Sequence, residues 1–266
     1  MTDPAVFAPV PGFTELRRRI LAGEVLYGTF LGLGSVVAAE LCARAGFDWV
    51  IIDLEHGAGT ETDLLASLLA VSTTPTAAIV RPQSGERLRI GRALDHGAHG
   101  LMIPRVDVPE QAREAISFMR FPPDGVRGLA LSTRGAGLGE RGHAEVSGIN
   151  PHLVGIIQIE SPSAVDHAAE IAAIDGVDVV FVGPADLSHS LGIPGQFDDP
   201  AYLAALQRVV AAADASGKAT GILLRDAAGL QRHLDLGFRF IGLGSDGAFV
   251  SDGARAAVRA TGAARA

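Results

Sequence analysis

The residue types with the most chemical capacity stand at the ends of apolar runs. The run Trp49 to Leu54 carries Asp53 and leads into Glu55 and His56; Ala78 to Arg81 ends in its arginine; Val154 to Glu160 ends in Gln158 and Glu160. A further run, Val179 to Gly183, leads into Gly183-Pro184-Ala185-Asp186. Glu160 and Asp186 offer hard carboxylate oxygens, which suit Mg²⁺ or Mn²⁺ with the remaining coordination positions left to water or substrate. On neighbouring strands, roughly 4.8 Å apart, two such carboxylates can meet one ion; capping a helix or a loop is the other use open to them. His56 is the candidate general base, because a neutral imidazole can accept a proton near working pH. Arg81 can bind a carboxylate and stabilise an oxyanion, or can form a structural ion pair with Asp53 or Glu55. Gly183 and the backbone at Ala185 can allow close approach or present amides to a small anion. The histidines at positions 96, 99, 143, 152, 167, 189 and 233 fall in helical or loop patterns and read as solvated or packed.

What must position these groups is an alternation of short apolar runs with Ala- and Leu-rich helical stretches, the pattern of parallel strands joined by crossover helices. Eight such runs are present: Leu26 to Leu31, Trp49 to Leu54, Ala78 to Arg81, Leu101 to Pro104, Val154 to Glu160, Val179 to Gly183, Thr220 to Leu224 and Phe238 to Leu243. Several are almost continuously apolar, so both faces should be buried. The expectation is an α/β fold, a (β/α)8 barrel formed as a single domain over residues 1–266, with catalytic groups at the C-terminal ends of the strands. The interval from Arg105 to Leu153 is about twice the usual spacing. Its part from about 121 to 152, rich in Gly, Pro and Arg, reads as an active-site loop, since loops beyond about 12–15 residues tend to be functional.

Composition narrows the function. With 266 residues, 48% of them hydrophobic, the chain can bury a large core. A net charge of -8 argues against a nucleic-acid partner. The lone Cys42 excludes an internal disulfide and a Cys-rich zinc site; Cys42 and Trp49 read as core. The opening MTDPAVFAPVPGF has no basic region followed by an apolar one, and no run approaches the roughly 18 apolar residues of a membrane span. A cytoplasmic protein without a membrane partner is expected.

The segments FDWVIIDLEHG (47–57), VRP (80–82), LDHGAHGLMIP (94–104), RFPPDGVRG (120–128), QIES (158–161) and VFVGPADLSHSLG (180–192) together resemble, in order and spacing, the HpcH/HpaI aldolase family. The resemblance extends from about Gly23 to Val250 and is to the 4-hydroxy-2-oxoheptanedioate and 2-dehydro-3-deoxyglucarate aldolases. It implies a class II aldolase that cleaves or forms 4-hydroxy-2-oxo acids, from pyruvate or a related 2-oxo acid and an aldehyde, through a metal-bound enolate. Glu160 and Asp186 would bind the divalent metal (Mg²⁺, Mn²⁺ or Co²⁺), and Gln158, Gly183, Ala185 and Asp186 would line the 2-oxo acid. Arg81 would stabilise developing negative charge and His56 would act as the base. Asp95 matches the aspartate that raises the basicity of that histidine. Because Asp95 closes a helix, it should face the far end of the barrel, so contact with His56 calls for another subunit or a displaced helix. The resemblance also implies a homo-oligomer, a hexamer.

Lysine content agrees with the metal route. A carbanion beside a carbonyl is stabilised either as an enamine on lysine or as a metal-bound enolate, and the only lysine, Lys218, precedes the seventh strand at the opposite end from the expected site. Two departures concern the acceptor aldehyde: Leu54 in Asp53-Leu54-Glu55-His56-Gly57, and Arg225 after the seventh strand. With Arg127 and Arg134, Arg225 suggests an acceptor bearing a carboxylate or phosphate. Two other readings stand beside the aldolase: a CoA-thioester lyase of the citrate lyase β-subunit or malyl-CoA type, and a catalytically silent barrel that binds a 2-oxo acid. Gly242-Leu243-Gly244-Ser245 is a weak candidate for a phosphate loop.

Overall fold

Short Val- and Ile-rich runs become strands, and each is followed by a stretch long enough to return along its outer face. The computed structural model describes residues 15–262; residues 1–14 and 263–266 of the expected domain lie outside the described residues. The strands are β1 (Leu26–Leu31), β2 (Trp49–Asp53), β3 (Ala77–Arg81), β4 (Gly100–Ile103), β5 (Val154–Ile159), β6 (Val179–Val182), β7 (Ala219–Leu224) and β8 (Phe240–Ser245). They close in sequence order into a barrel, every pair parallel, β8 returning to β1. The helices are α1 (Glu15–Leu21), α2 (Val36–Arg44), α3 (Glu61–Val71), α4 (Arg87–Asp95), α5 (Pro109–Met119), α6 (Pro162–Asp166), α7 (Ala168–Ala172), α8 (Pro184–Ser190), α9 (Pro200–Ala215), α10 (Leu230–Leu236) and α11 (Asp246–Ala260).

Strand alternation sorts the core into two layers. Trp49, Ile51, Ala77, Ile79, Val154, Ile156, Val179 and Phe181 share the cluster inside the barrel. Their neighbours Val50, Ile52, Val80, Ile157, Val180 and Val182 pack outward under the helices. Inside, the Trp49 indole stacks on Phe240 with ring centroids 4.2 Å apart. Gly28 makes room for it, since a Cβ there would lie 2.0 Å from the indole. The same alternation, continued up the strands, delivers Asp53, Arg81 and Gln158 to the inner face at the C-terminal rim.

Capping residues set where the return helices begin. Ser35, Thr60 and Ser245 each accept a backbone N–H at the start of α2, α3 and α11. The helical pattern AVDHAAEIAAI resolves into α6 and α7, interrupted at His167. β8 starts two residues later than expected, at Phe240. Gly237 ends α10 with φ 110°, and the buried Phe238 is spent on the outer core before pairing with β1 begins.

The long segment between α5 and β5 corrects the sequence reading: it lies at the base of its own barrel, opposite the strand C-termini. Arg127 pairs with Asp95 at the end of α4 at 2.9 Å, Arg134 lies against Gly97, and Asn150 pairs with the backbone of Phe121. The physical reason is parity of direction: α5 has already carried the chain back to the strand N-termini, so the residues between its end and β5 must fill the floor. Arg127 is buried there with its guanidinium 4.3 Å over the Phe121 ring. Neither Arg127 nor Arg134 reaches the mouth.

The last helix is nearly bare. Asp246 is its only buried residue, and Phe249, Val250 and Val258 are exposed, as are Val36, Val37 and Leu41 on α2. Among the described residues no helix is long and apolar enough to cross a membrane.

Candidate active site

Register places the first pair. Asp53 and Arg81 are partners across β2 and β3, both facing inward, and the guanidinium clamps the carboxylate through two bonds, Nε to Oδ1 at 2.9 Å and Nη2 to Oδ2 at 2.7 Å. Asp53 also accepts the backbone N–H groups of Glu55 and His56, so one carboxylate holds both the arginine and the turn after β2. Burial alone would raise the Asp53 pKa, but Arg81 and the two amides bring it below the usual carboxylate value. Arg81 then reaches on with Nη1, 3.2 Å from Glu55 Oε2 and 3.4 Å from Gln158 Oε1. The ion-pair and oxyanion readings of Arg81 are thus not exclusive: one edge of the guanidinium is anchored and the other faces the rim.

Glu160 follows β5 directly. Gln158 Nε2 donates to its Oε1 at 2.7 Å, and the Arg105 backbone N–H donates to its Oε2 at 3.3 Å. Arg105 makes that approach from a left-handed conformation, φ 54°. The Glu160 carboxyl is pushed up to about 7, first by burial, then by the charges of Asp186 and Glu55. Asp186 sits in the first turn of α8, whose N-cap is Gly183. Gly183 is a close approach, because a Cβ there would lie 2.5 Å from Glu160 Oε1.

Glu55, Glu160 and Asp186 therefore share one partly desolvated space, where Asp186 raises the cost of ionising both Glu55 and Glu160, and Glu55 adds to the cost at Glu160. A divalent cation removes that cost. Among the described residues no three His, Cys, Asp or Glu side chains are arranged to hold a metal by themselves. The donor set that fits is the pair Glu160 and Asp186, with other positions left to water or substrate, as Mg²⁺ commonly takes them.

His56 projects into solvent at the rim, its side chain 66% exposed and Nε2 3.7 Å from Glu55 Oε2. Ala185 lies beside Asp186 in the first turn of α8. Asp95 is not brought to this site; it stays at the base, paired with Arg127, so within one chain it cannot orient His56. Lys218 immediately precedes β7, at the base. The phosphate-loop reading of Gly242 to Ser245 fails for a clear reason. Gly242 to Ser245 form the last residues of β8, paired with β1 and β7, and so are not a loop.

Two site residues were not assigned to the carboxylate cluster on sequence grounds: Glu55, read only as a possible ion-pair partner of Arg81, and Arg105. Glu55 is two residues beyond Asp53 and so falls on the same inward parity, a signal that was present. Arg105 contributes a backbone amide from a left-handed position that glycine or asparagine would ordinarily mark, and its identity gives no such signal.

Comparison with known proteins agrees with this geometry. The HpcH/HpaI aldolase/citrate lyase family profile matches residues 26–252. A hydroxypyruvate/pyruvate aldolase of Delftia acidovorans is 41% identical over 90% of this chain and 87% of its own length. A 4-hydroxy-2-oxo-heptane-1,7-dioate aldolase of Salmonella arizonae is 37% identical over 88% and 89%. A crystal structure of an HpcH/HpaI aldolase/citrate lyase family protein from Burkholderia cenocepacia superposes with a TM-score of 0.89 at 38% identity, covering 93% of this chain and 99% of that one. With the barrel, the rim carboxylates and these matches in agreement, the chain belongs to the HpcH/HpaI aldolase/citrate lyase family and is a carbon-carbon lyase.

Proposed function

We propose that this protein is a divalent-metal-dependent (class II) aldolase that cleaves 4-hydroxy-2-oxo acids to pyruvate, or a related 2-oxo acid, and an aldehyde, and runs the reverse addition. The observation that carries this reading is the placement of Glu160 and Asp186 at the rim beside Arg81, with Glu160 pushed up to about 7 by burial and its carboxylate neighbours. One relative named a hydroxypyruvate/pyruvate aldolase and another named a 4-hydroxy-2-oxo-heptane-1,7-dioate aldolase support it.

Glu160 and Asp186 would hold the cation, Mg²⁺, Mn²⁺ or Co²⁺. When bound, it supplies the positive charge that polarises the keto group and offsets the charge developing on its oxygen. Gln158, Gly183 and Ala185 line the 2-oxo acid and exclude water from one of its faces. His56 removes the proton of the C4 hydroxyl, the C3–C4 bond breaks, and its electron pair moves onto C3 and the C2 carbonyl. The Arg81 guanidinium stands ready to stabilise the resulting oxyanion. Asp53 fixes that guanidinium and takes no part in proton transfer. A proton returned to C3 completes the 2-oxo acid.

Asp95 enters this scheme only from a second copy. Self-association would bring Asp95 of the partner subunit toward His56, and the exposed apolar residues of α2 and α11 supply surface for it. The location in the cell is taken to be the cytoplasm.

The test is pyruvate release from a panel of racemic 4-hydroxy-2-oxo acids, on protein stripped by chelator and resupplied with Mg²⁺, Mn²⁺ or Co²⁺. Release that depends on metal and is lost in Glu160→Ala is the expected result. Activity that survives complete metal removal contradicts the mechanism. Absence of activity with every metal shifts the assignment to a CoA-thioester lyase or a silent 2-oxo-acid-binding barrel.

A further inference from the structure

One rim residue holds a backbone conformation that its type disfavours. Arg105, two residues beyond β4, has φ 54°, in the left-handed region that glycine, and less often asparagine or aspartate, ordinarily occupies. Its side chain gives no reason for this, because the guanidinium is exposed and makes no hydrogen bond or ion pair with any described residue. What the conformation does supply is the Arg105 N–H, donated to Glu160 Oε2 at 3.3 Å. An unfavourable backbone conformation persists only where its surroundings over-determine it.

The surroundings do so here. Pro104 and Val106, on either side, are both buried. Asp107 then ties the turn to the segment that carries Glu160. Its Oδ1 accepts the hydroxyl of Ser161, the residue that follows Glu160, and its carbonyl accepts the Ser163 hydroxyl at 3.1 Å. Ser161 Oγ is fixed from its other side by the Ala164 N–H at 3.1 Å, as the N-cap of α6. The Asp107 N–H is held in turn by Gln111 Oε1 at 2.8 Å. One turn therefore grips Glu160 twice, at the carboxylate through the Arg105 amide and at the next residue of the chain through Asp107. With Gln158 Nε2 on Oε1, each Glu160 oxygen has one donor and keeps acceptor capacity for a cation shared with Asp186.

We propose that Asp107 is a positioning residue for the metal site: through Ser161 and the left-handed Arg105 it sets the Glu160 carboxylate in the orientation that takes the cation. This inference rests on the class II reading and adds residues outside the ligand pair that the reading does not use. Asp107 acts through Glu160 and touches neither cation nor substrate.

The experiment is titration calorimetry with Mn²⁺ on the native protein, Asp107→Ala, Asp107→Asn, and Asp107→Ala combined with Arg105→Gly, with far-ultraviolet spectra recorded alongside. Mn²⁺ affinity should fall about 10- to 100-fold in Asp107→Ala, as for loss of a group that orients a metal ligand, with an unaltered spectrum. Asp107→Asn keeps an oxygen acceptor for Ser161 and should lose much less. Glycine adopts a positive φ at no steric cost, so Arg105→Gly should restore part of the affinity lost in Asp107→Ala. A residue that only stabilised the fold would not give that rescue. Native affinity in Asp107→Ala, or a loss that Arg105→Gly leaves unrelieved, overturns the positioning role while leaving the class II reading intact. Absence of Mn²⁺ binding by the native protein overturns the metal reading and this inference with it.

Discussion

Asp53 sets the geometry of the rim through contacts that are short, buried and bidentate. It clamps Arg81 at 2.9 and 2.7 Å and receives the amides that begin the turn to His56. Both side chains are about nine-tenths shielded, 8% and 10% exposed, so solvent cannot compensate if one is removed. Asp53→Asn leaves a buried guanidinium with a weaker partner, and breaking a buried pair from one side costs roughly 3–5 kcal/mol. The expected outcome is a denaturant midpoint shifted down together with a fall in kcat that Mn²⁺ excess does not restore. A variant of native stability and native kcat would show that the clamp has no part in placing Arg81.

At the scale of elements, the turn between β6 and α8 does two jobs with four residues. Pro184 starts the helix at its first position, where no N–H is needed, which brings Asp186 into the first turn. Gly183 lets the Glu160 carboxylate lie against the backbone, where any Cβ would intrude to 2.5 Å. Gly183→Ala should therefore displace Glu160 while leaving the barrel folded, because β6 ends before it. Mn²⁺ affinity measured by titration calorimetry should fall at least about tenfold, as for other changes that disturb the orientation of a metal ligand, with an unaltered far-ultraviolet spectrum. Native affinity in this variant would exclude Glu160 as a ligand held from that side.

For the molecule as a whole, the unusual feature is a terminal helix that buries almost nothing of itself. α11 exposes Phe249, Val250 and Val258, and α2 exposes Val36, Val37 and Leu41. Under the self-association proposed above, these apolar residues on two exposed helices supply the contact surface. Sedimentation equilibrium should give a mass several times that of one chain, and the double substitution Val37→Glu with Leu41→Glu should lower it. A monomer in the native protein would remove the route by which Asp95 could approach His56.

The eight strands were legible because each is a short apolar run between turn-forming residues, and seven of them begin within one residue of the position expected. The rim residues were legible for a related reason: Asp53, Arg81, Gln158 and Glu160 interrupt apolar alternation at strand ends, where burial leaves few other uses for charge. The floor segment was misplaced. Its Gly, Pro and Arg content signals a loop, but composition carries no information about which end of the barrel the loop covers.

Local alternation and helix patterning by themselves determined the barrel, its strand order and the set of polar groups at one end, since these follow from which side chains water excludes. Only the tertiary structure decided which of those groups meet. That Arg81 is clamped by Asp53 while facing Gln158, that Glu160 lies against Gly183, and that Arg127 lies at the base while Arg225 follows the C-terminal end of β7 are consequences of strand register and chain direction. They depend on distances between residues far apart in the chain, which no local pattern encodes.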